Sequence, residues 1–143
     1  MKYFKVDNCS LCLQAGESVL WQDTDCRVIN APQPGYPGLC RVIWNEHARE
    51  MTDLSQDQRA RLMVVVWAME EALRQVLKPA KINLASLGNQ VPHLHWHVIP
   101  RFEDDPHFPD AIWTAPHRSG VEHHLDLNAL AEALQQRLNH YFN

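Results

Sequence analysis

Residues 91–101 read VPHLHWHVIPR, and histidines occupy three alternate positions, His93, His95 and His97. In a β-strand, alternate side chains share a face, and neighbours on that face stand roughly 6.5–7 Å apart. The alternation therefore predicts a strand with two unlike sides. Leu94, Trp96 and Val98 form an apolar side that needs a helix packed on it. The three imidazoles form the other side, where burial is costly unless each has a partner. Packing alone is a poor account of three such residues at strict alternation. A fold for this chain must give one face of this strand to a core and keep the other for chemistry.

The flanking sequence supplies the rest of such a fold. ESVLWQ and CRVINA read as short strands separated by the turn cluster DTD, and LCRVIW as a third after the Pro/Gly-rich loop APQPGYPG. KINLASLG is a fourth strand and HLHWHVIPRF the fifth. Between the third and fourth, Ser55 and Gln58 fit a capping box. Leu62, Val65, Val66, Met69, Leu73 and Leu77 follow at helical spacing, and Pro79 marks the stop. Leu127, Leu130, Leu134 and Leu138 predict a C-terminal helix. The expectation is one α+β domain over residues 1–143: a mostly antiparallel five-stranded sheet, one long central helix and a C-terminal helix.

Composition narrows the partners. Apolar residues are 45% of the chain and the formal net charge is −4, with no long block of like charge. Nucleic acid is not an expected partner, whereas small anions are. No run approaches membrane-spanning length and the first residues lack an apolar signal region, which favours a cytoplasmic protein with no membrane partner. Cys9, Cys12, Cys26 and Cys40 then read as thiols or metal ligands rather than disulfides. Cys26 and Cys40 lie within strands and read as buried thiols. Cys9 and Cys12 form a Cys-x-x-Cys pair that could be redox-active, incidental or half of a zinc site.

Two chemistries fit the imidazoles. Strand histidines at i and i+2 can chelate a catalytic metal. Alternatively, a neutral imidazole can attack phosphorus and form a labile phosphoramidate intermediate. SLGNQ, residues 86–90, bears on the choice. It offers a glycine, exposed backbone N–H groups and two side-chain amides, all suited to phosphate oxygens or a leaving group.

His93-Leu94-His95-Trp96-His97-Val98-Ile99 resembles the signature of the histidine-triad (HIT) superfamily, His-φ-His-φ-His-φ-φ, where φ is apolar. VINAPQPGYPGLCRVIWNEH and INLASLGNQVP resemble family segments in order and spacing, so that the likeness covers residues 9 to about 102. The resemblance implies a HIT-like fold and attack on the α-phosphorus of a nucleoside phosphate, dinucleoside polyphosphate or phosphoramidate. By position it implies that His95 is the nucleophile, that His97 stabilises the phosphate and that Gln90 meets the scissile bridge. Gly88 and Asn89 would form the phosphate turn, with Asn30 and Asn83 binding ribose or phosphate. Gln90 stands where the phosphoramidase branch carries Ser or Thr, which tilts the expected substrate toward diadenosine polyphosphates.

The resemblance also implies a homodimer whose two sheets join. In some branches of the superfamily it implies a structural zinc held by two cysteines, a histidine before the central helix and the first triad histidine. Here those are Cys9, Cys12, His47 and His93, and no organic cofactor is expected. The sequence departs from the family in WNEH before the central helix and in the bulk of Trp96. A nucleotidyltransferase using the same intermediate, and a nucleotide-binding regulator with weak catalysis, are the alternatives. His107, His117, His123 and His124, outside the likeness, read as solvated loop residues.

Overall fold

The structure, a computed structural model, describes residues 5–142. The five expected strands are present: β1 (Ser18–Gln22), β2 (Cys26–Asn30), β3 (Cys40–Trp44), β4 (Lys81–Ala85) and β5 (His95–Arg101). They form one sheet in the order β1-β2-β3-β5-β4, antiparallel throughout. A single turn of helix, α1 (Ser10–Leu13), precedes them, and α2 (Gln56–Leu77) and α3 (Leu127–Phe142) complete the fold.

The helix signals act as their chemistry predicts. The Ser55 hydroxyl accepts from the backbone N–H of Gln58, and Gln58 Oε1 accepts from the N–H of Ser55. That exchange satisfies two donors at a helix start that would otherwise be orphaned. The Asp126 carboxylate does the same for the N–H groups of Asn128 and Ala129 at the start of α3.

Strand parity then sorts the side chains. Val28, Val42, Trp44 and Val98 join Leu62, Val66, Met69 and Leu73 of α2 and Leu130 and Leu134 of α3 in the main core. Each fully buried aliphatic side chain here contributes about 1.5–3 kcal/mol.

The other face carries Arg27, Ile29, Arg41, Ile43, His95, His97, Ile99 and Arg101, which the antiparallel register brings into rows. Helices α2 and α3 leave it bare. One end lies under the N-terminal segment, where Cys9, Leu11 and Cys12 cluster with Ile29 and Ile43. The opposite end lies under residues 102–124, where Ile112 and Tyr36 cluster with Leu39 and Ile99. Between these covers the row Arg41–His97–Ala85 is left open.

Candidate active site and metal centre

β5 begins at His95, two residues later than the histidine alternation predicts. Before it, the backbone turns: the N–H of His93 donates to Val91 O at 2.8 Å. The imidazole of His93 is fully buried and swings to the N-terminal cover. Its Nε2–H donates to Trp44 O at 2.6 Å, which leaves Nδ1 as a lone pair. Cys9 Sγ lies 3.4 Å and Cys12 Sγ 3.5 Å from that nitrogen. Cys12 Sγ is also 3.3 Å from His47 Nδ1, and the ring of His47 stands edge-on to His93 with centroids 5.1 Å apart.

All four ligand atoms of Cys9, Cys12, His47 and His93 lie within 4.8 Å of one another. A lone pair can accept only one proton, yet two sulfurs converge on His93 Nδ1. A single cation satisfies all four donors at once. Tetrahedral zinc, with Zn–S of ~2.3 Å and Zn–N of ~2.0 Å, separates its sulfur and nitrogen ligands by about 3.5 Å. Backbone N–H groups already point at the sulfurs, Val6 N–H at Cys12 and Cys12 N–H at Cys9, as thiolate ligands require. The other two cysteines, Cys26 and Cys40, are fully buried thiols whose pKa burial raises.

His95 begins the exposed chemistry. Its Nδ1–H donates to His93 O at 2.6 Å, so Nε2 is the unprotonated nitrogen. Burial lowers the pKa of His95, against the opposing effect of that hydrogen bond, and keeps the ring neutral. His97 stands edge-on to it, centroids 5.0 Å apart. Burial, then the neighbouring His95 and Arg41, push the pKa of His97 down to about 4. Its Nδ1 is buried without a hydrogen-bond partner.

Both histidines line a groove of about 390 Å³ whose walls include Gln33, Arg41, the turn Leu87-Gly88-Asn89-Gln90 and Trp113. The turn is tied to the triad strand: Ser86 Oγ–H donates to His95 O at 3.1 Å. Gly88 sits at φ +80°, a conformation that favours glycine and lets the backbone approach a ligand closely. Among the described residues no acid lines the groove, and Arg41 is the fixed cation that does.

The structure thus gathers His95, His97, Gly88, Asn89 and Gln90 around one groove, and Cys9, Cys12, His47 and His93 around one metal-sized point. It does not bring the two asparagines there. Asn30 pairs with Cys40 on the helix side of the sheet, and its amide donates to Pro37 O and Leu39 O. Asn83 shares the histidine face, but its Oδ1 accepts from Arg101 Nη1 at 2.8 Å, under the C-terminal cover.

That cover is more ordered than its polar sequence suggests. Asp105, buried, takes both Arg101 Nε–H at 2.7 Å and Nη2–H at 3.0 Å, together with the Tyr36 hydroxyl and the N–H groups of Phe102, His107 and Phe108. Burial would raise its pKa, but Arg101 and those N–H groups outweigh burial and hold the carboxyl far below the usual range. The expectation of solvated histidines is corrected for His107 and His123, which are only partly exposed, and holds for His117 and His124, which are exposed. His107 bonds the Tyr36 hydroxyl, His117 pairs with Asp110, and His123 stacks on Phe102 while bonding Asp104.

Sequence reasoning also missed Gln33, Arg41 and Trp113 as groove residues. Arg41 was the findable one, since an arginine between Leu39 and Ile43 in an apolar strand demands a partner.

Residues 13–104 match the family described as HIT domain. A comparison with curated proteins gave no match. Among solved structures, a histidine triad protein from Bradyrhizobium japonicum is similar at 25% identity and TM-score 0.72, over 95% of this chain and 98% of that one. Another from Marinobacter aquaeolei VT8 gives 26% and 0.71, over 97% and 98%. A zinc-bound histidine triad family protein from Mycobacterium smegmatis shares the fold at 22% and 0.66, over 94% and 97%. The family match takes in the sheet, the central helix and the triad strand together, and the chain belongs to the histidine-triad (HIT) domain family.

Proposed function

We propose that the protein is a nucleotide hydrolase that works through a covalent nucleotidyl-histidine. The observation that carries this reading is the protonation state of His95: Nδ1–H is committed to His93 O, and Nε2 is left with a lone pair in an acid-free groove. Nε2 attacks the α-phosphorus, an N–P bond forms, and the P–O bond to the leaving group breaks with its electron pair going to the bridging oxygen. Gln90 donates to that bridge, while His97 and the Gly88–Asn89 backbone meet the phosphoryl oxygens. Water then attacks phosphorus, the N–P pair returns to Nε2, and one water proton passes to solvent. Leaving groups that are themselves phosphates, as in dinucleoside polyphosphates, suit Gln90 at the bridge. A phosphate or sugar phosphate replacing water would make the protein a transferase.

The same reading assigns zinc to Cys9, Cys12, His47 and His93. When bound, the metal supplies a structural cross-link and no chemistry on the substrate. The residues around it position the nucleophile, because His93 gives its ring to the metal point and its backbone carbonyl to His95. We further assign a cytoplasmic homodimer. β4 is an edge strand, and Leu84 on it and Leu87 beside it are exposed, as is Trp67 on α2.

The test is turnover of a panel of adenylated and guanylated polyphosphates and phosphoramidates by wild type and His95→Ala. Removing the nucleophile should cost several orders of magnitude, roughly 10⁴-fold or more, with nucleotide binding retained. A loss of only a few-fold would sink the covalent mechanism.

A further inference from the structure

Three arginines project from the histidine face of the sheet, and their surroundings differ. Arg27, fully buried, gives Nε–H and Nη2–H to the two carboxylate oxygens of Glu17 at 2.7 and 2.8 Å, and its remaining donors to Asn45 and Leu11 O. Arg101 is held by Asp105 and Asn83. Arg41, directly across from His97 on the neighbouring strand, has no hydrogen bond or ion pair among the described residues. Its Nε is buried and unpartnered. Glu17, the nearest acid acting on it, is already committed to Arg27. A half-buried guanidinium without a counter-ion is a cost to the fold, because its Nε–H has given up water for nothing. The partner that would repay it is an anion entering the groove.

We propose that Arg41 is the phosphate anchor of the groove, binding an unesterified phosphate oxygen of the substrate through its planar N–H fork. The proposal rests on the nucleotide reading above, and it adds a residue that the triad motif does not contain. The guanidinium geometry suits phosphate oxygens better than a lysine would, since its donors are fixed in one plane. Arg41 lines the groove directly across from His97, so a phosphate entering beside the triad meets its guanidinium.

The experiment measures binding of adenosine, AMP, ADP and pyrophosphate to His95→Ala protein with Arg41 intact, changed to Lys and changed to Leu. Chemistry is thereby silenced and only recognition is read. Arg41→Leu should weaken AMP, ADP or both by roughly 10- to 100-fold, with Arg41→Lys in between and adenosine unaffected. Equal loss for AMP and ADP assigns the guanidinium to the phosphate under attack. Loss for ADP and pyrophosphate alone assigns it to the next phosphate. Thermal unfolding without ligand should show Arg41→Leu as stable as its parent or more so. Unchanged phosphate binding overturns the proposal, as does an equal loss for adenosine or a fall in unfolding temperature. If the parent binds no nucleotide at all, the functional reading fails instead, and pyrophosphate affinity still tests Arg41 by itself.

Discussion

The two covers of the histidine face solve one problem with different materials. Each must close a sheet surface that α2 and α3 leave bare, and each does so over a buried arginine. The N-terminal cover is short, and beyond Arg27 with Glu17 it relies on Cys9 and Cys12 meeting His47 and His93. The C-terminal cover is a long irregular segment folded around the Asp105 carboxylate, which gathers Arg101, Tyr36 and three backbone N–H groups. A segment of few residues buries too little apolar area to stay put unaided, so it needs a strong point attachment. A longer segment can spread the task over many hydrogen bonds, each worth about 1 kcal/mol net. One cover is therefore expected to fail through chelation or oxidation, and the other through acid.

The largest effect should come from the metal point. Removing zinc, or making the Cys9→Ser, Cys12→Ser double variant, should cost about 5 kcal/mol or more, lowering Tm by roughly 10–20 °C. Proteolysis should then begin within the first cover while residues 102–124 stay protected. Elemental analysis of untagged protein should find about one zinc per chain. Metal-free wild type with unchanged Tm would erase the contrast between the covers.

Next comes Asp105→Ala, which strands Arg101 in the interior and should cost about 3–5 kcal/mol in denaturant unfolding. The milder Asp105→Asn reads out the charge. The folded-state pKa of Asp105 lies below the unfolded carboxylate value of ~3.9. Its stabilisation is thus fully present above that value and is lost as pH falls through it toward the folded pKa. Wild type should lose stability as pH falls below about 4, and Asp105→Asn should lose less over the same window. Parallel acid limbs would remove Asp105 as the organiser of its cover. The smallest effect is Tyr36→Phe, which deletes the hydroxyl's hydrogen bonds to Asp105 and His107 and should cost about 1–2 kcal/mol. A cost as large as that of Asp105→Ala would mean the cover hangs on the Tyr36–His107 contact instead.

How much of this was legible in the sequence follows from the range of each signal. The five strands, the Ser55 capping box and the triad are local patterns, and they reappear in the structure where periodicity placed them, except that His93 precedes β5 and turns to the N-terminal cover. The metal cluster joins residues far apart, and the sequence reached it only through the Cys-x-x-Cys pair and the family likeness. The charge of Arg41 in an apolar strand was visible, but its place beside His97 is set by strand register, which no local pattern encodes. The sequence even repeats Cys-Arg-Val-Ile at Cys26 and Cys40, with both arginines on the same face. Only Glu17, arriving on a separate segment, makes the first a structural ion pair. Asn30 illustrates parity: a one-residue difference in position turns its amide to the helix side. Asp105 lies beyond Pro100, past the reach of strand spacing, so its central place could not be read in advance.

The open row between the covers also sets a direction and a length. It crosses the strands rather than following them, from Arg41 on β3 through His97 on β5 to Ala85 on β4. Two strand spacings of ~4.8 Å give it a span of about 10 Å. A slender molecule lying in this trench is broadside to the sheet, with its ends toward opposite edges. Whatever is wider than one row must either project into solvent or lift a cover, so girth rather than length is the dimension this surface screens.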